Sequence, residues 1–114
     1  MIDPKLFACK CGCGLCNPSP KLLGMLDLVE GLLKIKLVVN SGCRCPKHNA
    51  KEGGGKTSAH LTGEAVDIAC ASDTLRYRLI SALLSVGFNR IGIAKTFLHA
   101  DVSATLGQNC IWVY

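Results

Sequence analysis

Two short segments in which apolar and polar side chains alternate constrain the fold of this chain more than any other feature. The first runs from Glu64 to Cys70 and the second from Phe97 to Val102. Because successive side chains of a β-strand point to opposite faces, each segment predicts a strand with one face in the core. The other face would carry Asp67 on the first strand and His99 on the second. We therefore expect Asp67 and His99 to lie on the same face of one sheet.

Two further segments predict helices. Ser19 can cap the first helix, and Pro20 suits its first position. The second helix would begin at Ser72 or Asp73 and stop at Gly87, because glycine commonly ends a helix. Apolar residues recur at helical spacing in both segments: Leu22, Leu26, Val29 and Leu33 in the first, and Leu75, Leu79, Ala82, Leu83 and Val86 in the second.

Three other segments predict strands. Ile35 to Val39 is rich in β-branched residues and would be a buried strand that ends in a turn at Asn40 to Gly42. Phe88 to Ile93 and Cys110 to Tyr114 would supply the others. The polar residues 43 to 64 predict a long connection, and connections of this length are usually functional or disordered. Together the elements predict an α+β fold in which two main helices pack on a mostly antiparallel sheet, with the site on the sheet's open face.

Length and composition predict one domain over residues 1–114. The net charge of +5 comes from scattered lysines and arginines, so no nucleic-acid-binding surface is predicted. No segment reaches the roughly 18 to 20 apolar residues of a membrane span. The first residues, Met1 to Pro4, lack the features of a signal peptide. We therefore expect a protein that is made in the cytoplasm without a signal peptide, and we also expect a monomer.

Eight cysteines are many for this length, and four of them lie in the irregular residues 1–18. These four are Cys9, Cys11, Cys13 and Cys16. Such cysteines can bind a structural metal, form disulfides or remain buried thiols. The segment lacks the paired C-x-x-C spacing of a zinc ribbon, and the sequence leaves all three alternatives open. A second, structural zinc is one of them.

Three residues offer the ligands of a catalytic zinc site: His60, Asp67 and His99. Each alone has an ordinary explanation, since a histidine can stabilise a turn or a strand and an aspartate can cap a helix. Two imidazoles and a carboxylate on converging elements, however, match the donors that zinc prefers. Three protein ligands also leave a fourth position for water or substrate. The residues themselves therefore favour a zinc site and point to hydrolysis.

A longer series of motifs surrounds these residues. It comprises the string Ser41-Gly-Cys-Arg44-Cys-Pro-Lys-His48-Asn49, a glycine-rich loop, and the patterns S-x-H-x-x-G-x-A-x-D and H-x-D. In order and spacing this series resembles the zinc D-Ala-D-Ala carboxypeptidases and phage L-Ala-D-Glu endopeptidases. The resemblance spans roughly Phe7 to Val102, and some phage or prophage members share a similar Cys-rich start. It implies the fold that these peptidases share with hedgehog signalling domains.

The resemblance also implies roles for individual residues. His60, Asp67 and His99 would be the zinc ligands. Arg44 would bind the substrate carbonyl or its developing oxyanion, which suits a permanently charged guanidinium. Ser58 would position the substrate or support the ligand loop.

One position departs from the family pattern. Many members place a glutamate three residues before the last histidine as the general base, but this chain has Thr96 there. Asp101, Glu64 and His48 are the alternative bases, and His48 is also a candidate for substrate binding. Asp101 could instead orient His99 by accepting a hydrogen bond. The sequence identifies no single base.

The sequence thus predicts a zinc-dependent peptidase that hydrolyses stem-peptide amide bonds of peptidoglycan, as a D,D-carboxypeptidase or an endopeptidase. Its site of action would be the bacterial cell wall. The alternative is a non-catalytic zinc domain of the same fold that binds wall peptide or a structural partner, because Thr96 cannot act as a base. A cysteine-rich module that binds nucleic acid is a third class, and the scattered basic residues disfavour it.

Overall fold

A mixed five-stranded sheet with strand order β1-β2-β4-β3-β5 forms the centre of the protein. The computed structural model describes all residues, 1–114. The main elements are α1 (Pro20–Leu33), β1 (Val39–Ser41), α2 (Pro46–Lys51), β2 (Ala65–Ala69), α3 (Asp73–Val86), β3 (Arg90–Ile93), β4 (Phe97–Asp101) and β5 (Cys110–Val113). Single 3₁₀ turns lie at Pro4–Phe7 and Ala59–Thr62. Only the β3–β5 pairing is parallel, so the predicted α+β class with a mostly antiparallel sheet is confirmed.

The two long helices begin and end where their sequence signals predict. The Ser19 hydroxyl accepts a hydrogen bond from the Leu22 amide at 3.3 Å and caps α1. The Ser72 hydroxyl does the same for α3, from the Leu75 amide at 3.1 Å. Gly87 ends α3 in the left-handed conformation, with φ of 115°. No helix is both long enough and apolar enough to cross a bilayer.

Both long helices pack on one face of the sheet and leave the polar side chains of β2 and β4 on the other. Leu26 of α1 and Leu83 of α3 share the hydrophobic core with Ile68 of β2 and Leu98 of β4. β2 and β4 pair in antiparallel register, and Asp67 lies directly opposite His99. The alternation of the two strands therefore predicts this placement correctly.

The first strand differs from the prediction. Ile35 to Val39 is wrong as a strand, because β1 starts at Val39 and continues through Ser41, in the predicted turn. Lys34, the residue that follows α1, adopts the left-handed backbone conformation. The Leu37 amide then donates to the Glu30 carboxylate at 2.8 Å, so it bonds a side chain rather than a neighbouring strand.

Two other segments also differ from the prediction. β3 begins at Arg90 rather than Phe88, because the Phe88 amide still donates to the Leu83 carbonyl at the end of α3. The polar connection 43–64 contains α2, a third helix that lacks an apolar repeat. Cys45 caps α2, since its sulfur accepts from the His48 amide at 3.4 Å.

The amino-terminal segment packs closely against the loop that follows β1. Phe7 is completely buried, and its carbonyl accepts a hydrogen bond from the Cys43 amide at 2.8 Å. A Cβ atom at Gly42 would lie 2.7 Å from the Phe7 Cα. Only glycine therefore permits this approach without a shift of backbone.

We expect Gly42→Ala to lower the free energy of unfolding by about 1–3 kcal/mol, since the added methyl group overpacks a rigid contact. Gly24→Ala is the matched control, because a Cβ at this position in α1 meets nothing within 4 Å. In a helix that change should be neutral or stabilise by roughly 0.5–1 kcal/mol. Urea unfolding of both variants measures the difference, and equal stability would contradict the close contact.

Candidate metal centre

Three buried side chains converge on the sheet face opposite the helices. The His60 Nε2 atom lies 3.3 Å from Asp67 Oδ1, and His99 Nδ1 lies 3.1 Å from the same oxygen. One ligand atom from each residue lies within 4.8 Å of the others. The structure thus brings together all three residues that the sequence nominates as zinc ligands.

The loop geometry orients His60. Ser58 caps the 3₁₀ turn, with its hydroxyl accepting from the His60 amide at 3.2 Å. The His60 Nδ1 atom lies 2.7 Å from the Gly42 carbonyl oxygen. A carbonyl can only accept, so Nδ1 carries a proton, and Nε2 is the ring nitrogen that faces Asp67. Ser58 therefore supports the ligand loop, as one of its two predicted roles requires.

A chain of polar contacts orients His99 through its Nε2 atom, the ring nitrogen that does not face Asp67. Its Nε2 atom lies 2.7 Å from Asp101 Oδ2, which places a proton on Nε2 and leaves Nδ1 facing Asp67. The other oxygen of Asp101 accepts from Arg90 Nε at 2.8 Å and from the Ser103 amide at 3.1 Å. Both Asp101 oxygens are thus engaged, and this geometry favours an orienting role for Asp101 over a role as base.

Arg44 contacts the remaining oxygen of Asp67. Its NH2 group donates to Asp67 Oδ2 at 3.1 Å, while Nε donates to Ser41 at 3.0 Å and NH1 to the Asn49 side chain at 3.4 Å. A guanidinium has five N–H donors, so two remain for another acceptor. Arg44 therefore holds Asp67 in place and can still bind a substrate oxygen.

These contacts shift three pKa values. Burial raises the pKa of Asp67, but hydrogen bonds and charge interactions with both histidines hold it far below its usual range. Burial lowers the pKa of His99, but Asp101 and Asp67 together raise it above its ordinary value. Burial also raises the pKa of Asp101, and its contacts with His99 and Arg90 lower it overall. In the metal-free protein the site therefore favours ionised carboxylates and a protonated His99.

A cleft of about 610 Å³ lies over the three residues. The glycine-rich loop Gly53–Gly55 lines one part of it, and the side chains of Trp112 and Tyr114 line another. The Trp112 ring centre lies 5.3 Å from that of His99. It can lie there because Gly92 has no side chain: a Cβ atom would come within 2.6 Å of the indole nitrogen.

The other candidate residues from the sequence, His48, Glu64 and Thr96, do not line this cleft. The His48 Nε2 atom lies 3.6 Å from Glu52 Oε1, and His48 lines an adjoining cavity of about 320 Å³. Glu64 accepts a hydrogen bond from the Thr62 hydroxyl, and Thr96 is exposed in the turn before β4. Neither Glu64 nor Thr96 lines the cleft.

Among the cleft residues that sequence reasoning misses, four bear on the chemistry of the site. They are Glu52, Arg90, Trp112 and Tyr114. The first two resemble ordinary surface charges in the sequence. The aromatic pair in the last strand was the one available signal, because aromatic residues are only 5% of this chain.

The cysteines are all free, and they divide into different environments. Cys43 and Cys70 are buried thiols of the core. Four others form a group whose sulfur atoms lie within 4.8 Å of one another: Cys9, Cys11, Cys13 and Cys45. Cys16, expected among them, lies outside, and its thiol contacts the Pro4 carbonyl at 3.4 Å. Cys45 takes its place because the loop after β1 folds back onto the amino-terminal segment.

The donor set of the buried group suits zinc. Two imidazole nitrogens and one carboxylate oxygen face the same point, and each ring donates the N–H of its other nitrogen to an oxygen acceptor. Every buried polar side-chain atom has a hydrogen-bond partner, so these orientations are fully supported. His60, Asp67 and His99 therefore fit a three-ligand zinc site.

The comparison with protein families agrees with this geometry. A family model described as Peptidase M15 matches residues 4–101. The matched range includes the three buried residues, Arg44, Asp101 and the four-cysteine group, while β5 lies beyond it. No curated protein matches the chain. The chain belongs to the Peptidase M15 family, the zinc D-Ala-D-Ala carboxypeptidases and endopeptidases that its motifs resemble.

Proposed function

We propose that this protein is a zinc-dependent peptidase that hydrolyses an amide bond of the peptidoglycan stem peptide in the bacterial cell wall. It would act as a D,D-carboxypeptidase or as an endopeptidase. The observation that carries the proposal is the convergence of His60, Asp67 and His99 beneath a cleft, in a chain of the M15 family.

The three residues would hold zinc through His60 Nε2, Asp67 Oδ1 and His99 Nδ1. Bound there, zinc polarises a carbonyl oxygen and lowers the pKa of a water molecule to about 7. Arg44 balances the charge of Asp67 and directs its two unused N–H groups at the substrate carbonyl oxygen. Asp101 keeps the His99 ring in the orientation that binds the metal.

Arg90 supports this arrangement from the far side. It donates to Asp101, and its guanidinium lies 5.0 Å from the centre of the Trp112 ring. It also donates to the Gly107 carbonyl. Arg90 thus couples the position of His99 to the walls of the cleft.

Glu52 is the carboxylate in the cleft that best fits the role of general base. Three carboxylates line the cleft, and those of Asp67 and Asp101 are engaged on both oxygens. Glu52 is 49% exposed, and its Oε1 contacts His48. Its Oε2 is therefore the oxygen proposed to accept a proton from the attacking water. Glu52 would thus take the role of the glutamate that many family members have at the position of Thr96.

The cleft has the dimensions and lining of a peptide site. Its volume falls within the roughly 300–1,000 Å³ typical of ligand pockets. The Gly53–Gly55 loop lines the cleft without side chains that would obstruct an extended peptide, and the rings of Trp112 and Tyr114 line another part of it. This combination supports binding of a short stem peptide beside the metal.

The second candidate function is a zinc domain that binds wall peptide without cleaving it. It is favoured by the exposed Thr96 at the usual base position and by the full engagement of Asp101. Incubation of the zinc-loaded protein with muropeptides, followed by mass spectrometry, separates the two functions. New amine and carboxyl termini support the peptidase, and intact muropeptides that still bind support the binding domain.

We expect His60→Ala and Asp67→Ala each to lose the zinc of this site and all measurable muropeptide hydrolysis, because two remaining ligands hold zinc weakly. Metal analysis after gel filtration measures the loss. His48→Ala is the matched control, since it removes an imidazole that lies outside the three-residue group. Equal zinc loss in His48→Ala and His60→Ala would contradict the assignment.

We expect Glu52→Gln to lower kcat by about 10²–10⁴-fold with unchanged zinc content, because general-base catalysis contributes a factor of this size. Asp73→Asn is the control, as it removes an exposed carboxylate that pairs only with Arg76. Full activity in Glu52→Gln would sink the assignment of the base. If Glu64→Gln rather than Glu52→Gln lowered kcat, the role of general base would belong to Glu64.

We expect the metal-free protein to lose stability as pH rises above about 6.5, the ordinary pKa of histidine. The raised pKa of His99 stabilises the fold below that pH, and the contribution disappears as pH rises through the folded-state pKa. The lowered pKa values of Asp67 and Asp101 act oppositely, so their contribution is lost as pH falls below their ordinary range.

Urea unfolding of chelator-treated protein over a pH series measures this dependence, with His99→Gln as the variant that should remove the loss above pH ~6.5. Zinc competes with the proton on His99 Nδ1, so zinc affinity should rise over the same range. Zinc affinity that is independent of pH in this range would contradict the prediction.

A further inference from the structure

We propose that Cys9, Cys11, Cys13 and Cys45 bind a structural metal ion, with zinc as the expected metal, at a second site separate from His60, Asp67 and His99. The proposal rests on the geometry of four sulfur atoms and on the way the backbone gathers them. It does not depend on the proposed peptidase activity.

The spacing of the sulfur atoms matches a tetrahedral thiolate site. The Sγ atoms of Cys9 and Cys11 lie 3.5 Å apart, and those of Cys11 and Cys45 lie 3.7 Å apart. All four sulfurs lie within 4.8 Å of one another. A tetrahedron with Zn–S bonds of about 2.3 Å places its sulfurs about 3.8 Å apart. A disulfide would need about 2.05 Å, so these contacts are not covalent pairs.

The amino-terminal segment is shaped to gather three of these sulfurs. Gly12 and Gly14 adopt φ of 84° and 90°, which side-chain-bearing residues rarely adopt. The Cys9 amide donates to the Leu15 carbonyl at 2.8 Å and closes the loop. The alternating Cys-Gly sequence therefore folds back on itself, so that Cys9, Cys11 and Cys13 share one side.

The fourth sulfur arrives from a distant part of the chain. Cys45 follows the loop that packs on Phe7, and its amide donates to the Cys9 sulfur at 3.4 Å. The Cys45 sulfur itself accepts from the His48 amide at 3.4 Å, as the cap of α2. Backbone N–H groups directed at sulfur favour the thiolate form that binds metal.

A metal ion at the four-cysteine group would connect two elements that hold the candidate active site. Cys45 directly follows Arg44, which contacts Asp67, and the same loop supplies the Gly42 carbonyl that orients His60. The amino-terminal segment would thus act as a brace for this loop. Loss of the ion should loosen Arg44 without removing a ligand from the buried site.

Metal content distinguishes the two sites. We expect about two zinc ions per wild-type chain, one in Cys11→Ser or Cys45→Ser, one in His60→Ala, and none in the double variant His60→Ala/Cys45→Ser. Cys16→Ser is the matched control, because this thiol is also exposed and amino-terminal but lies outside the group; it should keep both ions. One zinc in the wild type that disappears in His60→Ala would overturn the proposal.

Cobalt substitution keeps the test valid if a cysteine variant fails to fold. In His60→Ala, which retains every cysteine, bound Co²⁺ should show thiolate-to-metal charge-transfer absorption. A cobalt complex without such absorption would overturn the thiolate site. Because the peptidase site is disabled in this variant, the result stands whether or not the protein cleaves muropeptides.

Thiol reactivity distinguishes metal-bound cysteines from disulfides and from free thiols. After chelation and denaturation, all eight cysteines should react with a thiol reagent, as the free thiols of the structure require. In the native zinc-loaded protein the exposed Cys11 and Cys13 should react only after a chelator is added. Four missing thiols under denaturing conditions would indicate two disulfides and overturn the metal site.

Discussion

The buried carboxylate of Asp67 is the interaction on which the rest of the site depends. One of its oxygens contacts both histidines, and the other accepts a hydrogen bond from Arg44. A carboxylate that is only 7% exposed is costly unless charged or polar groups surround it. The 3₁₀ turn, β4 and the loop after β1 must therefore all reach β2 before Asp67 is satisfied. The same convergence creates the ligand set that zinc requires.

The hydrogen-bond partners of the two histidines connect the site to the rest of the fold. His60 depends on the Gly42 carbonyl, and His99 depends on Asp101, which in turn depends on Arg90 of β3. Phe7 packs against Gly42, so even the amino-terminal segment contributes to the orientation of His60. Supporting partners of this kind commonly change metal affinity by about 10–100-fold when they are removed. The hydrophobic core and the candidate metal centre are thus stabilised by a shared set of contacts.

Much of the fold and the ligand set could be predicted from local patterns. The alternation of β2 and β4 predicts the shared face of Asp67 and His99, because side-chain direction along a strand follows from backbone geometry alone. Ser19, Ser72 and Gly87 predict the helix ends, since caps act within one turn. The strand at Ile35 to Val39 was wrong because the Leu37 amide donates to the side chain of Glu30, at the end of α1, rather than to a neighbouring strand. Propensity does not register such a contact.

The sequence by itself determined the class of fold, the three candidate ligand residues and the family, because strand alternation, capping and motif spacing can all be read along the chain. Only the tertiary structure decided which groups stand behind those ligands. It placed the Trp112 ring beside that of His99 and left Glu52 as the cleft carboxylate with one oxygen unpaired. It also put Cys45, rather than Cys16, in the four-cysteine group. Each of these outcomes depends on sheet order and on the path of a loop, which bring together residues far apart in the chain.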